Sequence, residues 1–198
     1  MIKIYGSPMS SAGRCLWMLE EVGAAYECIE PNLRDPEQRA LYTSEVFAGG
    51  KVPYLVDEDV KLFESMAINN YLAAKYKPEL LGSDLVARAL IDQWSFWAIS
   101  NLQPEAIKVL LHSSILPETQ RVAGEVEAGR SGCARFLAQL EASLTHDYLL
   151  GDQFTAADLN CGSVVNLASR VGIQTGPRVT AWLERLRARP AYKKALAH

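Results

Sequence analysis

The chain lacks a Cys-x-x-Cys pair, and its four cysteines, Cys15, Cys28, Cys133 and Cys161, stand far apart. His112, His146 and His198 are equally dispersed. Neither set has ligand spacing or forms a disulfide framework, so no metal is expected and each thiol reads as reduced and packed. No apolar run approaches the ~20 residues that a helix needs to cross a bilayer. The charged-then-apolar opening of a secretory leader is also missing, so no membrane association and a cytoplasmic location are expected. An excess of positive charge is absent too: 20 Lys and Arg face 23 Asp and Glu, a formal net charge of −3, which excludes nucleic acid from the expected partners. There is no internal repeat and no low-complexity tract. What remains is 198 residues, 49% of them hydrophobic, enough for one large or two small domains with an ordinary core.

The first stretch with a clear pattern is Lys3 to Glu21. Ile2, Ile4 and Tyr5 form a short strand that stops at Gly6-Ser7-Pro8, and a helical pattern starting at Ser10-Ser11 runs on to Gly23. Tyr26–Glu30 alternates as a second strand. Asp35-Pro36 then opens a helix, with aspartate as cap and proline at the first helical position. Strand, helix, strand at this length predicts a parallel pair. Val52–Val56 and Val60–Phe63, joined by an acidic turn, predict a hairpin, and Glu64-Ser65 opens a helix from Met66 to about Lys77. The remainder reads as helical: Asp84 to about His112 with a bend near Pro104, Pro117 to His146 weakened by Gly124, Gly129 and Gly132, a helix from the capping box at Thr155-Ala156-Ala157-Asp158 to near Gly172, Arg178–Ala188 and Pro190–Ala197. Asp158 is assigned to folding. The helical spacing of Trp94, Phe96, Trp97 and Leu102 reads as core.

Four features of the α/β half point to one ligand. The hydroxyls of Ser10 and Ser11 stand where a helix begins, and unpartnered N–H groups and the positive dipole end there favour an anion. Pro53 cannot donate to a sheet, which leaves the backbone of Val52 as an edge able to take an extended peptide, in keeping with a cis bond at a tight turn. Ser65 at a helix start suits a carboxylate, and Glu64 beside it suits an ammonium, so together they fit an α-amino acid headgroup. Lys51, after Gly49-Gly50, is a cation on a loop that suits a second carboxylate.

Tyr-Gly-Ser-Pro with paired serines, Leu-Glu-Glu-Val-Gly with Tyr-Glu, Gly-Lys-Val-Pro, Glu-Ser-x-Ala-Ile and the Thr-Ala-Ala-Asp box follow one another in an order that resembles the cytosolic glutathione S-transferases, of a bacterial, serine-like type. Ala181-Trp182-Leu183 and Arg189-Pro190-Ala191-Tyr192 extend the resemblance almost to the end of the chain. It implies an α/β thioredoxin-like domain over 1–78 that binds glutathione and an all-α domain over 84–198 that supplies most of a hydrophobic substrate site. It further implies that Glu64 and Ser65 hold the γ-glutamyl group, that Val52, beside Pro53, pairs with the cysteinyl backbone, and that Lys51 reaches the glycyl carboxylate. The sulfur-facing hydroxyl is Ser10 or Ser11, because the loop before Arg14 is about one residue shorter than in the familiar serine classes. Tyr5 is a third candidate. The implied activity is attack of a glutathione thiolate on small hydrophobic electrophiles in detoxification, by a homodimer burying parts of the third and fourth helices. Peroxidase, isomerase or dehalogenase chemistry with glutathione, or a non-enzymatic binding module, are the alternatives. Thiol–disulfide exchange is disfavoured, since Cys15 lies inside the first helix rather than at its start.

Overall fold

The computed structural model describes residues 1–196, so the expected helix end at Ala197 lies outside the described residues. The chain divides into two compact units: Met1–Leu80 with the described residues from Ala188 onward, and Leu81–Arg187. The sequence groups the last of these segments with the helical part. The structure gathers it with the α/β unit, because its partners lie on the first helix.

In the α/β unit, β1 (Ile2–Tyr5), α1 (Gly13–Val22), β2 (Tyr26–Ile29), α2 (Pro36–Glu45), β3 (Tyr54–Asp57), β4 (Val60–Phe63) and α3 (Ser65–Tyr76) follow in the expected order. The sheet runs β2-β1-β3-β4, with β1 parallel to β2 and antiparallel to β3. This is the thioredoxin-like arrangement. Ile4, Leu55, Leu16, Leu19, Ile68 and Leu72 are fully or almost fully buried between sheet and helices. Asp35 caps α2 by accepting from the N–H groups of Glu37 and Gln38, both at 2.9 Å. Cys15 is buried as expected, but Cys28 is exposed, because β2 is an edge strand with one open side.

Asp57 ties the hairpin to α3. Its buried carboxylate accepts from Lys75 Nζ at 2.6 Å and Tyr71 Oη at 2.8 Å. Burial alone would raise the Asp57 carboxyl, yet the hydrogen bonds from Lys75 and Tyr71 hold it below the usual range. A carboxyl depressed in the folded state stabilises the fold above its unfolded value of about 4 and loses that contribution as pH falls through the folded value. Unfolding midpoints in denaturant, measured from pH 7 downward, are therefore expected to drop below about pH 4 in the parent. They should drop less steeply in Asp57→Asn, and equal slopes would remove Asp57 from the acid response.

The helical unit contains α4 (Leu85–Trp97), α5 (Gln103–Leu110), α6 (Ala123–Ser143), α7 (Ala156–Arg170) and α8 (Pro177–Ala188), the last ending at the unit boundary; α9 (Pro190–Ala195) belongs with the α/β unit. The single bent helix expected over Asp84–His112 is resolved into α4 and α5 by a wider π turn at Ala98–Leu102, where Gln103 N–H bonds to Ala98 O. Pro104 has no N–H to return to the preceding turn, and one extra residue in that turn accommodates its ring. The second long helix is shorter than expected. It begins at Ala123 because Arg121 and Val122 are extended, with the Arg121 guanidinium bonded to Leu116 O at 2.8 Å and Ser114 O at 3.1 Å.

The glycines of α6 have a packing reason. A Cβ on Gly129 would stand 2.8 Å from Glu105 O, and one on Gly132 would stand 2.6 Å from Glu105 Cγ, so their absence lets α6 lie close against α5. Glu141 of α6 accepts from the N–H groups of Arg178 and Val179, both at 2.9 Å, and neutralises the first turn of α8. Trp94 and Leu102 are core residues, whereas Phe96 is 60% exposed, on the side of α4 that faces away from that core.

Candidate functional site

Strand register brings the candidate residues to one end of the sheet. Tyr5 of β1 lies opposite Tyr54 of β3, and Tyr54 lies opposite Phe63 of β4. Gly6-Ser7 therefore leaves the sheet at the same end at which Val52-Pro53 enters it and Glu64-Ser65 leaves it. Three segments far apart in sequence converge there.

Gly6 sets how closely they meet. Its φ of +135° is a conformation that side chains rarely adopt. A Cβ there would lie 3.1 Å from Val52 Cβ and 3.3 Å from Ser10 Oγ, with Ala12 closer still. The serine turn thus packs against the Val52 edge across a residue that has no side chain. The Val52–Pro53 bond is cis, and the backbone N–H and C=O of Val52 have no hydrogen-bond partner among the described residues. The expected unpaired edge is present.

The helix start expected at Ser10-Ser11 is shifted. α1 begins at Gly13 with Ala12 as its cap, and Ser10 forms a turn before it. Ser10 Oγ donates to Ser7 O at 2.8 Å and accepts from Ala12 N–H at 3.1 Å, a local bonding pattern that competes with helix and holds the turn outside it. Ser11 differs: neither its hydroxyl nor its backbone N–H has a partner among the described residues. Tyr5 packs its ring at 5.8 Å from Tyr42 and 6.2 Å from Tyr54, the role of a strand-end packing residue.

Glu64 is strained. Its φ of +68° is uncommon for a residue other than glycine and costs of order 1–3 kcal/mol, which the surroundings must hold in place. Its exposed carboxylate has no partner among the described residues. Ser65, buried behind it, accepts from Arg14 Nη1 at 3.3 Å, and its carbonyl accepts from Cys15 Sγ at 3.6 Å. These contacts join the first turns of α1 and α3, so two positive helix ends and a buried guanidinium meet at one place. The sequence reading did not single out Arg14. Its signal was a cation one turn beyond the serines on an otherwise apolar helix face.

Lys51 is exposed, and its ammonium has no partner among the described residues; its carbonyl accepts from Tyr42 Oη at 2.9 Å, which anchors the loop before Val52. Burial, partly offset by Arg14, pushes the Cys15 thiol up to about 12, so it is not a nucleophile near neutral pH. No group of side chains suited to a metal ion occurs among the described residues, and no helix of these residues is long and apolar enough to cross a membrane.

Residues 1–74 match the family described as glutathione S-transferase, N-terminal domain, and residues 102–190 match glutathione S-transferase, C-terminal domain. The chain is 34% identical to Glutathione S-transferase 4 of Zea mays, an alignment that spans 98% of this chain and 91% of that one. Among solved structures it resembles the theta class glutathione S-transferase of Xanthomonas axonopodis pv. citri with glutathione bound, with a TM-score of 0.86, 33% identity and coverage of 100% and 97% of the two chains. The nitrogen regulation fragment of the yeast prion protein Ure2p shares the fold with a TM-score of 0.88 and 26% identity over 99% of this chain and 96% of that one.

Proposed function

The chain belongs to the glutathione S-transferase family and is a glutathione transferase, and from that premise we propose that its glutathione lies across the sheet end within residues 1–78 with the sulfur beside Ser10. The observation that carries this placement is the close approach at Gly6. A peptide paired with Val52 in the manner of an added strand has its paired residue next to the serine turn, because no side chain separates the two. In this reading the cysteinyl backbone pairs with Val52, beside Pro53. The γ-glutamyl carboxylate meets Ser65 and the start of α3, with Arg14 behind, and the γ-glutamyl ammonium meets Glu64. Lys51 takes the glycyl carboxylate.

The chemistry then asks for a thiolate near neutral pH. The sulfur attacks an electrophilic carbon, a carbon–sulfur bond forms, the leaving group departs with its electron pair, and the thiol proton passes to solvent. The electrophile is small and hydrophobic, and the role is detoxification in the cytoplasm. The protein acts as a homodimer. Exposed apolar side chains on α4, among them Leu85, Val86 and Leu90, supply a surface for a second copy, and the mass in solution tests this.

The protein is expected to be retained on immobilised glutathione and to turn over a chlorinated nitrobenzene. Glu64→Gln, which keeps the backbone and removes the charge facing an ammonium, should weaken glutathione binding by roughly tenfold in calorimetry. Binding unchanged in Glu64→Gln would remove the headgroup assignment, and no binding by the parent would remove the placement of glutathione altogether.

A further inference from the structure

The last turn of α1 carries Glu20 and Glu21 and no basic residue, although a helix C-terminus disfavours negative charge. The compensation comes from the far end of the chain. Arg189 grips Glu21 with two bonds, Nε to Oε1 at 2.6 Å and Nη2 to Oε2 at 2.8 Å, and the Glu21 side chain is only 5% exposed. Trp17 Nε1 donates to the same carboxylate at 2.9 Å, Lys77 Nζ donates to the Glu21 carbonyl at 3.3 Å, and Lys194 pairs with Glu20 at 2.7 Å. The ring of Tyr192 packs edge-on against Trp17 at 5.0 Å between centroids. At its other end α9 reaches the start of α1: Leu196 Cδ2 lies 3.4 Å from where a Cβ on Gly13 would be, and the same Cβ would collide with the Pro8 carbonyl. The short C-terminal segment thus runs along α1 from Glu21 to Gly13, and Gly13 sits between Leu196 and the serine turn.

We propose that Arg189 is a positioning residue for the transferase reaction: by docking α9 on Glu21 it holds Leu196 against Gly13 and fixes the turn of Ser10–Ala12 that activates the thiol. This inference rests on the placement of glutathione given above. A helix of six residues has no stability of its own and keeps its shape only while docked. With Arg189 gone, α9 frays and the first turn of α1 loses one of its walls. A hydroxyl aimed at a sulfur tolerates little displacement, whereas binding along Val52 and α3 does not pass through α9.

The test compares the parent, Arg189→Ala, Arg189→Lys, Glu21→Gln and Leu196→Ala, each confirmed folded by circular dichroism. The ultraviolet absorbance of the bound thiolate and kcat/KM for a chlorinated nitrobenzene are followed against pH. Arg189→Ala should lower kcat at neutral pH by about fivefold and move the acid limb to higher pH, while the Kd for glutathione stays within about twofold. Glu21→Gln should reproduce the shift, Arg189→Lys should restore part of it, and Leu196→Ala should give a smaller shift of the same sign. A folded Arg189→Ala with the parental pH profile overturns the inference. If Arg189→Ala does not fold, an unchanged profile in Leu196→Ala overturns it. A parental thiol that ionises as it does in free buffer overturns the underlying placement of glutathione, and this inference with it. A depressed parental thiol left unmoved by all the variants overturns this inference alone.

Discussion

Asp158→Ala is expected to destabilise the helical unit by about 3–5 kcal/mol, a large share of the roughly 5–15 that holds a domain folded. Asp158 is fully buried and accepts four hydrogen bonds: from Leu149 N–H at 2.8 Å, Thr155 N–H at 2.9 Å, the Thr155 hydroxyl at 3.0 Å and Trp182 Nε1 at 2.9 Å. Alanine leaves the donors of Leu149 and Trp182 buried and unpaired, at about 1–3 kcal/mol each. It also removes the reciprocal half of the capping box of α7, a further ~1 kcal/mol. The donors of Thr155 are partly exposed and can turn to water. Burial pushes the Asp158 carboxyl up, with the hydrogen bonds pulling against it, so a neutral amide is a closer substitute than a methyl group. Asp158→Asn should cost about half as much. Urea unfolding followed by tryptophan fluorescence measures the difference. A loss under about 1 kcal/mol in Asp158→Ala would show that α7 and Trp182 do not depend on this carboxylate.

The capping box was legible in sequence because its members lie three residues apart and obey local rules. The bond from Trp182 to Asp158 was not, since it spans 24 residues and depends on how α8 meets α7. The same division runs through the candidate site. Pro53 announced an unpaired Val52 because proline lacks a donor wherever it stands, and Glu64-Ser65 announced a helix start because it joins an apolar strand to an apolar helix. Arg14 was missed because its meaning comes from Ser65, 51 residues away. The helix start at Ser10-Ser11 was misplaced for a subtler reason. Serine bonds its own neighbourhood equally well as a cap or as a separate turn, and here Ser10 Oγ makes the turn by bonding Ser7 O and Ala12 N–H. The docking of α9 lay beyond any local rule, with Glu21 and Arg189 168 residues apart.

Ser10→Ala is expected to lower kcat/KM by about three- to tenfold at neutral pH, and Ser11→Ala by less than about twofold. In the structure Ser10 gives its proton to Ser7 O while Ala12 N–H donates to its oxygen. When a thiolate arrives, the hydroxyl can turn its proton to the sulfur while keeping the Ala12 bond, which polarises it into a better donor. It exchanges a neutral bond worth roughly 0.5–1.5 kcal/mol for one to a charged group worth roughly 1.5–3. The end of α1 and the N–H of Ser11, which has no partner among the described residues, add ~0.3–1 kcal/mol. The sum lowers a thiol of reference value about 8.5 by about one to two units, at 1.36 kcal/mol per unit. Ser10→Ala forfeits the largest part, so the acid limb of its kcat/KM profile should move up by about one unit. Ser11→Ala keeps the backbone N–H, so its limb should stay where it is in the parent. The profiles are read with a chlorinated nitrobenzene at saturating glutathione. The reverse ranking would assign the sulfur to the Ser11 hydroxyl, and parental profiles in both variants would mean that no hydroxyl of this turn activates the thiol.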